Sequence, residues 1–291
     1  MAYASGITTY SSQLSIVATT NNTTVTITPS ATASLVGHSG TYTETLQQGQ
    51  TYEIDCSANS DDVTGTQITS DNPIAVFAGA NLAHVPLDSA YGNPLTEEQL
   101  PTAQWGMEAL SMGFAQRVNG DTYRVLAINT NTIIFTNGVI AGTNQAGQFL
   151  EFVIKGPVVF QSTQPVQVAH FQNGADFDGA SNLQGDPAEI LIPPAGDYLV
   201  TNLVATPTYS GGFTHTYINL IVMSSAITNT SLDNMAVAVT NFVPIGTSGY
   251  FGARLLVTNS VHTVTSSQPV GVEVYGMGEA DAFGYFGGVV K

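Results

Sequence analysis

The sequence predicts an all-β protein: three internally repeated antiparallel β-sheet or sandwich units in a pseudo-threefold arrangement. Three observations carry this. Runs of β-branched and aromatic residues are separated by turns rich in Gly, Asn and Thr. Helix signals are scarce; the best, Thr96-Glu97-Glu98-Gln99-Leu100, is stopped by Pro101 and predicts one turn at most. A seven-position motif recurs three times, as Ile68-Thr69-Ser70-Asp71-Asn72-Pro73-Ile74, Phe160-Gln161-Ser162-Thr163-Gln164-Pro165-Val166 and Val264-Thr265-Ser266-Ser267-Gln268-Pro269-Val270.

The elements follow in order. Leu14-Ser15-Ile16-Val17 and Thr24-Val25-Thr26-Ile27 flank Asn21-Asn22 and read as a hairpin. Asn119-Gly120 precedes the strand Tyr123-Arg124-Val125-Leu126-Ala127-Ile128. Ile133-Ile134-Phe135-Thr136 and Val139-Ile140 flank Asn137-Gly138, the strongest hairpin dipeptide, because a type I′ turn wants positive φ at both central residues. In the repeated motif the proline lacks an N–H, so it belongs at a strand start or an edge, and Ser with Asn or Gln caps the turn before it. After it, Val166 and Val168 alternate with Gln167 and Ala169, and Val270, Val272 and Val274 with Gly271 and Glu273. That alternation predicts half-buried sheets. Shorter echoes support the repeat: Ala18-Thr19-Thr20-Asn21-Asn22-Thr23 with Ala127-Ile128-Asn129-Thr130-Asn131-Thr132, and Gly49-Gln50 with Gly147-Gln148. Residues 1–291 thus read as one β-rich region with units at about 13–86, 122–174 and 216–288, and insertions at 87–121 and 175–215.

Composition excludes several functions. Of 291 residues, 43% are apolar and 9% charged, against roughly 25% charged in an ordinary domain. Five Lys and Arg against 21 Asp and Glu leave a formal charge of −16. Five cations cannot build a phosphate-neutralising track, so nucleic acid is excluded as a partner, and an anionic membrane surface with it. The apolar fraction is enough for a core and excludes general disorder. No apolar run is long enough for a transmembrane helix, so membrane insertion is not expected. The first basic residue is Arg117, so no signal peptide is expected in this chain; it reads as part of a longer exported protein or as a virion component. A single cysteine, Cys56, allows no intrachain disulfide and reads as a small core hydrophobe.

No motif of enzymatic chemistry is present, so no catalytic residue is assigned. Five histidines (His38, His84, His170, His215 and His262) lie far apart in sequence, and only the fold can bring one to a serine and an acid. No cofactor is required. The one candidate is calcium: Asp176-Phe177-Asp178-Gly179 resembles the start of a calcium loop, and with Asp186 and Glu189 it offers four oxygen ligands, the alternative being a solvated acidic loop. Asp61-Asp62 reads as a turn. Trp105, Tyr91 and Tyr209 in the insertions are candidate ligand-binding aromatics that could stack on sugar rings, the alternative being packing onto the β core.

Residues 63–205 resemble the IgG Fc-binding protein N-terminal domain family. The matching residues are Val63 through Phe77, then Glu98-Gln99-Leu100-Pro101, Trp105-Gly106, Asp121 through Ala127, and Gly185-Asp186-Pro187-Ala188-Glu189-Ile190-Leu191-Ile192-Pro193-Pro194. The resemblance implies a non-enzymatic, β-rich binding or adhesion module, without specifying immunoglobulin as the ligand. The family often carries a cysteine pair around the loop near Val85-Pro86; here that loop has none, which favours a bacterial or phage context. The expected function is a surface structural or adhesion module of a larger assembly, either a virion fibre, decoration or tail component or an exported bacterial surface protein. Its partners are then subunits of that assembly and a host-surface protein or glycan, and its place is the virion or the extracellular surface. A carbohydrate-binding module and a glycan-acting enzyme are the alternatives.

Overall fold

A computed structural model describes residues 1–7, 10–179, 184–207 and 212–289. Seven strands come first: β1 (Ser12–Ala18), β2 (Thr23–Thr28), β3 (Tyr42–Leu46), β4 (Thr51–Asp55), β5 (Gln67–Ser70), β6 (Ile74–Ala83) and β7 (Asn93–Glu98). One sheet has the order β4-β1-β6-β7 and another the order β3-β2-β5, all antiparallel. Each of β1 and β2 buries alternate residues, the period-two signature of one apolar face. The two faces meet on Leu14, Ile16, Val25, Ile27, Leu46 and Ile54. The hairpin expected at Asn21-Asn22 is therefore corrected: β1 and β2 lie in different sheets, and the turn, with Asn22 at φ +58°, carries the chain across the core. Two strands with one apolar face each bury more by stacking than by lying side by side.

The second group is β8 (Gly106–Ser111), β9 (Asp121–Ala127), β10 (Thr132–Thr136), β11 (Val139–Asn144), β12 (Phe149–Ile154), β13 (Val158–Gln172) and β14 (Ala188–Ile192). The third is β15 (Leu199–Ala205), β16 (Phe213–Met223), β17 (Ser231–Leu232), β18 (Met235–Ala236), β19 (Val243–Pro244), β20 (Tyr250–Val257), β21 (Val261–Gly278) and β22 (Asp281–Phe286). In the second group β9 pairs with β12 and β13, β10 with β11 and β13, and β13 with β14. In the third, β16 pairs with β20 and β21, β17 with β18 and β21, and β21 with β22. The stretches 87–121 and 175–215 contribute β7, β8, β14 and β15 to the sheets, with β8 on β13 and β15 on β21. The turn at Asn137-Gly138 is a two-residue loop with φ of +48° and +80°, closing Thr136 opposite Val139.

The three motif prolines stand where a strand changes partners. Pro73 separates β5, which pairs with β2, from β6, which pairs with β1. Pro165 lies inside β13, between its pairing with β10 and its pairing with β9, and Pro269 inside β21, between β17 and β16. At such a corner the missing N–H costs no ladder bond. Ser70 and Ser162 each donate their hydroxyl to the carbonyl of the residue before the proline, Asn72 and Gln164, at 2.6 Å in both cases.

Two further expectations are corrected. Thr96 to Glu98 is strand, not helix: Leu95 is buried opposite Ala80, and pairing β7 along the edge of β6 overrides the local helix preference of Glu97 and Glu98. The strands after Pro165 and Pro269 are buried on both faces, not one. Val166 and Val168 join one cluster while Ala169 and Phe171 join another, and Glu273, expected to face solvent, is fully buried. The second face of each central sheet is covered by the neighbouring group of strands. Polar residues on that face are thereby enclosed.

Candidate functional site

Those enclosed polar residues form two junctions. Between the second and third groups lies His170 of β13, stacked between Phe114 (ring centroids 3.8 Å apart) and Tyr123 (4.4 Å). Its Nε2 lies 3.2 Å from Asp121 Oδ2 and its Nδ1 3.2 Å from Ser111 Oγ. Ser111 donates in turn to Glu273 Oε1 at 3.3 Å, and Asn219 Nδ2–H donates to Glu273 Oε2 at 2.9 Å. The Phe114 N–H also donates to Asp121 Oδ2, at 2.7 Å. Burial alone would lower the His170 pKa, but the hydrogen bonds and charges of Asp121 and Glu273 prevail and raise it. The two acids thus favour the charged form of the imidazole.

The fold thus does bring Ser111, His170 and Asp121 together, the residue types of a hydrolase triad. The Ser111 and His170 residues are fully buried, and the acids that raise the His170 pKa work against its taking a serine proton. What the arrangement does is fasten β8, β9 and β13 to β16 and β21.

Arg124 of β9 fastens the first group to the second. Its guanidinium lies 2.6 Å from Asp62 and 2.8 Å from Glu151, donates to the Ala2 carbonyl at 2.6 Å, and is centred 3.7 Å over the Tyr3 ring and 4.3 Å over the Phe149 ring. Burial works against the Asp62 carboxylate, but Arg124 and hydrogen bonds from Thr64 hold its pKa below the ordinary value. Asp62 thus does more than occupy a turn.

The four candidate calcium ligands are placed in different company. Asp176 accepts from Ser89 Oγ at 2.6 Å and from the Ala90 N–H at 3.0 Å. Asp178 accepts from the Val118 and Asn119 N–H groups and pairs with Arg117 Nε at 2.9 Å. Asp186 accepts weakly from the Ala175 N–H at 3.4 Å, and burial raises its pKa to about 6. Glu189, opposite Phe171 on β14, is fully enclosed, and burial raises its pKa to about 8. Among the described residues no three or more His, Cys, Asp or Glu gather at metal-holding distance. Of the candidate aromatics, Trp105 is partly buried against the apolar cluster that holds Tyr3, Leu126 and Leu191 and donates its Nε1–H to the Leu100 carbonyl at 3.0 Å. Tyr91 is half-buried beside Ser89, which donates to its carbonyl. Tyr209 lies outside the described residues.

The open surface is of another kind. A groove of about 470 Å³ runs between the β17–β18 hairpin and β20, lined by Leu232, Met235, Val237, Asn241, Arg254 and Leu256 among others. Met235 and Leu256 on its walls are 74% and 66% exposed. Val239 and Val243 stand exposed nearby in sequence, and Val139 and Ile140 stand exposed on β11, which among the described residues pairs with β10 alone. Sequence reasoning missed Arg124, Glu273 and Arg254. The available signal was an ionisable residue set singly inside an otherwise apolar strand run, as in Tyr123-Arg124-Val125 and Val272-Glu273-Val274.

Several packed antiparallel sheets, joined by buried ionisable groups at Arg124 and His170, define an all-β module. The chain belongs to the IgGFc-binding protein family, whose model matches residues 1–276. It is similar to the human IgGFc-binding protein, at 26% identity over 244 residues, which is 81% of this chain and 4% of that protein's length. No solved structure matches it. No helix among the described residues is long and apolar enough to cross a membrane.

Proposed function

We propose that this chain is a non-enzymatic binding module that works outside the cell as a subunit of a larger assembly, such as a virion fibre, decoration or tail component or an exported surface protein. One observation carries the reading: the clustered ionisable groups at Arg124 and His170 are walled into the junctions, while the accessible surface is mainly Thr, Ser, Asn, Gln and aliphatic side chains, with few cations. Such a surface loses little hydration when a neighbour covers it. The −16 charge opposes self-association, but screening over about 8 Å at physiological salt confines that opposition to close acidic pairs. The human relative is named for binding the Fc portion of IgG, and we take protein as the ligand class here. The glycan-binding alternative loses support from Trp105, whose indole is engaged by the core and by Leu100. In this reading the three strand groups are repeats of one unit in a pseudo-threefold relation, each cornered by its proline.

The test is association. Light scattering at micromolar concentration in 0.15 M salt, with pull-down from the native source, should find the chain in a complex. A strict monomer with no protein partner, or turnover of an ester, peptide or glycan abolished by Ser111→Ala, would overturn the reading.

A further inference from the structure

We infer that the groove beside β20 takes an extended acidic–aliphatic peptide segment of a partner protein as an added strand. This rests on the binding-module reading and gives it a site and a ligand class.

The argument begins at the backbone. β20 is paired along its whole length with β16 on one side. On its other side it meets β19 only at Phe251 and Gly252. The Ile245 N–H donates to the Tyr250 carbonyl across that second edge at 2.9 Å. Backbone groups alternate sides along a strand, so Gly252, Arg254 and Leu256 turn their N–H and C=O the same way as Tyr250. Beyond Gly252 no described residue pairs with that edge. Across the groove, β18 is paired with β17 alone, so its outer edge is open too. Residues of β18, of the 3-10 turn Val239–Asn241 and of β20 line this one groove.

Side chains narrow the occupant. Arg254 and Leu256 are exposed on the outer face, while Leu255 and Val257 turn inward against the core of the third group. Arg254 is one of five cations in a chain of net charge −16, and among the described residues it makes no ion pair, whereas Arg117 and Arg124 are both paired inside. An unpaired cation on an acidic protein, set among Met235 and Leu256, is complementary to a carboxylate carried on an aliphatic strand. Pockets for alternate side chains along a free edge are how strand addition is made selective. An antiparallel strand would place an acid opposite Arg254 and, two residues earlier, an aliphatic side chain opposite Leu256, with aliphatic residues between.

The probe is the capped peptide Thr-Val-Leu-Val-Glu-Val-Thr, fluorescently labelled, titrated into the full chain and followed by anisotropy. The expected result is saturable binding, weakened roughly three- to tenfold when the peptide's Glu is replaced by Lys, with that preference reversed by Arg254→Glu. Hydrogen exchange should show the Arg254 and Leu256 amides newly protected by the peptide. Leu256→Pro, which removes an N–H that no strand uses, should abolish binding while the thermal midpoint is retained. No binding, binding indifferent to the charge swap, or protection elsewhere overturns the proposal. So does a doubling of mass without peptide that Arg254→Glu abolishes, since the groove then belongs to a second copy. Pull-down of a native partner that survives Arg254→Glu would sink the groove assignment and leave the binding-module reading standing.

Discussion

Replacing Arg124 by Met removes the cation that joins the first two strand groups and keeps much of its volume. It strands the Asp62 carboxylate, 5% exposed, without its partner at 2.6 Å, and leaves the Ala2 carbonyl without its 2.6 Å donor. Breaking a buried pair from one side costs about 3–5 kcal/mol, because the remaining charge stays buried. Met recovers part of the contact with the Tyr3 and Phe149 rings, so the lower half of that range applies. At about 2 °C per kcal/mol for a chain of this size, the expected loss in Tm is roughly 6–8 °C. Fluorescence of Trp105, the one tryptophan, reports the event directly, since it packs in the same cluster as Tyr3. The companion variant Asp62→Asn in the Met background should restore part of the loss, because no charge is then stranded. Equal midpoints for wild type and Arg124→Met, or simple additivity in the double variant, would refute the claim that this pair fastens the two groups.

Three other outcomes are expected. Stability should fall between about pH 5 and pH 8, because Asp186, Glu97, Glu189 and His170 all have raised pKa values, the carboxyls at about 6, 7 and 8. Such groups support folding fully below their free values and withdraw that support as pH rises through the folded ones; Glu189→Gln should flatten the decline in a urea-midpoint series, and an unaltered slope would count against it. Gly65→Ala should destabilise, since Gly65 has φ +85° and an added Cβ would lie 2.0 Å from the Gly147 carbonyl of the second group; an unchanged Tm would show that the two turns can part. Trp105→Ala should cost about 2 kcal/mol, below the usual range for a fully buried tryptophan because part of its surface stays open; loss of partner binding with no change in Tm would instead make it a contact residue.

Much of the fold was legible in the sequence because strands announce themselves locally. The alternation in Leu14 to Val17 and the Asn137-Gly138 turn need no distant partner to be read. The proline motif could also be read, since a missing N–H restricts where a strand can place it. The junctions were not legible. Asp176 and Asp178 drew notice by their spacing, yet their partners, Ser89, Arg117 and Asn119, are settled by the packing of distant loops. Period two tells which residues share a face, but not whether a second layer covers the other face, and so Gln167, His170 and Glu273 read as solvent-facing or unassigned. The same limit hid the slot at β20: an open edge is a statement about which neighbour is missing.

The placement of the cations has a further consequence, for the durability of the chain in a hostile medium. A trypsin-type protease must draw an extended segment with an accessible Lys or Arg into its cleft. Arg117 and Arg124 have side chains 2% and 4% exposed, and Arg254 is stitched along β20 to β16. That leaves Lys155, exposed in the turn between β12 and β13, as the cation among the described residues that such an enzyme can readily grasp in the folded state. Among the described residues the chain thereby offers one ready nick site, and a nick there would fall between strands that both pair with β9 and so remain held together by the sheet.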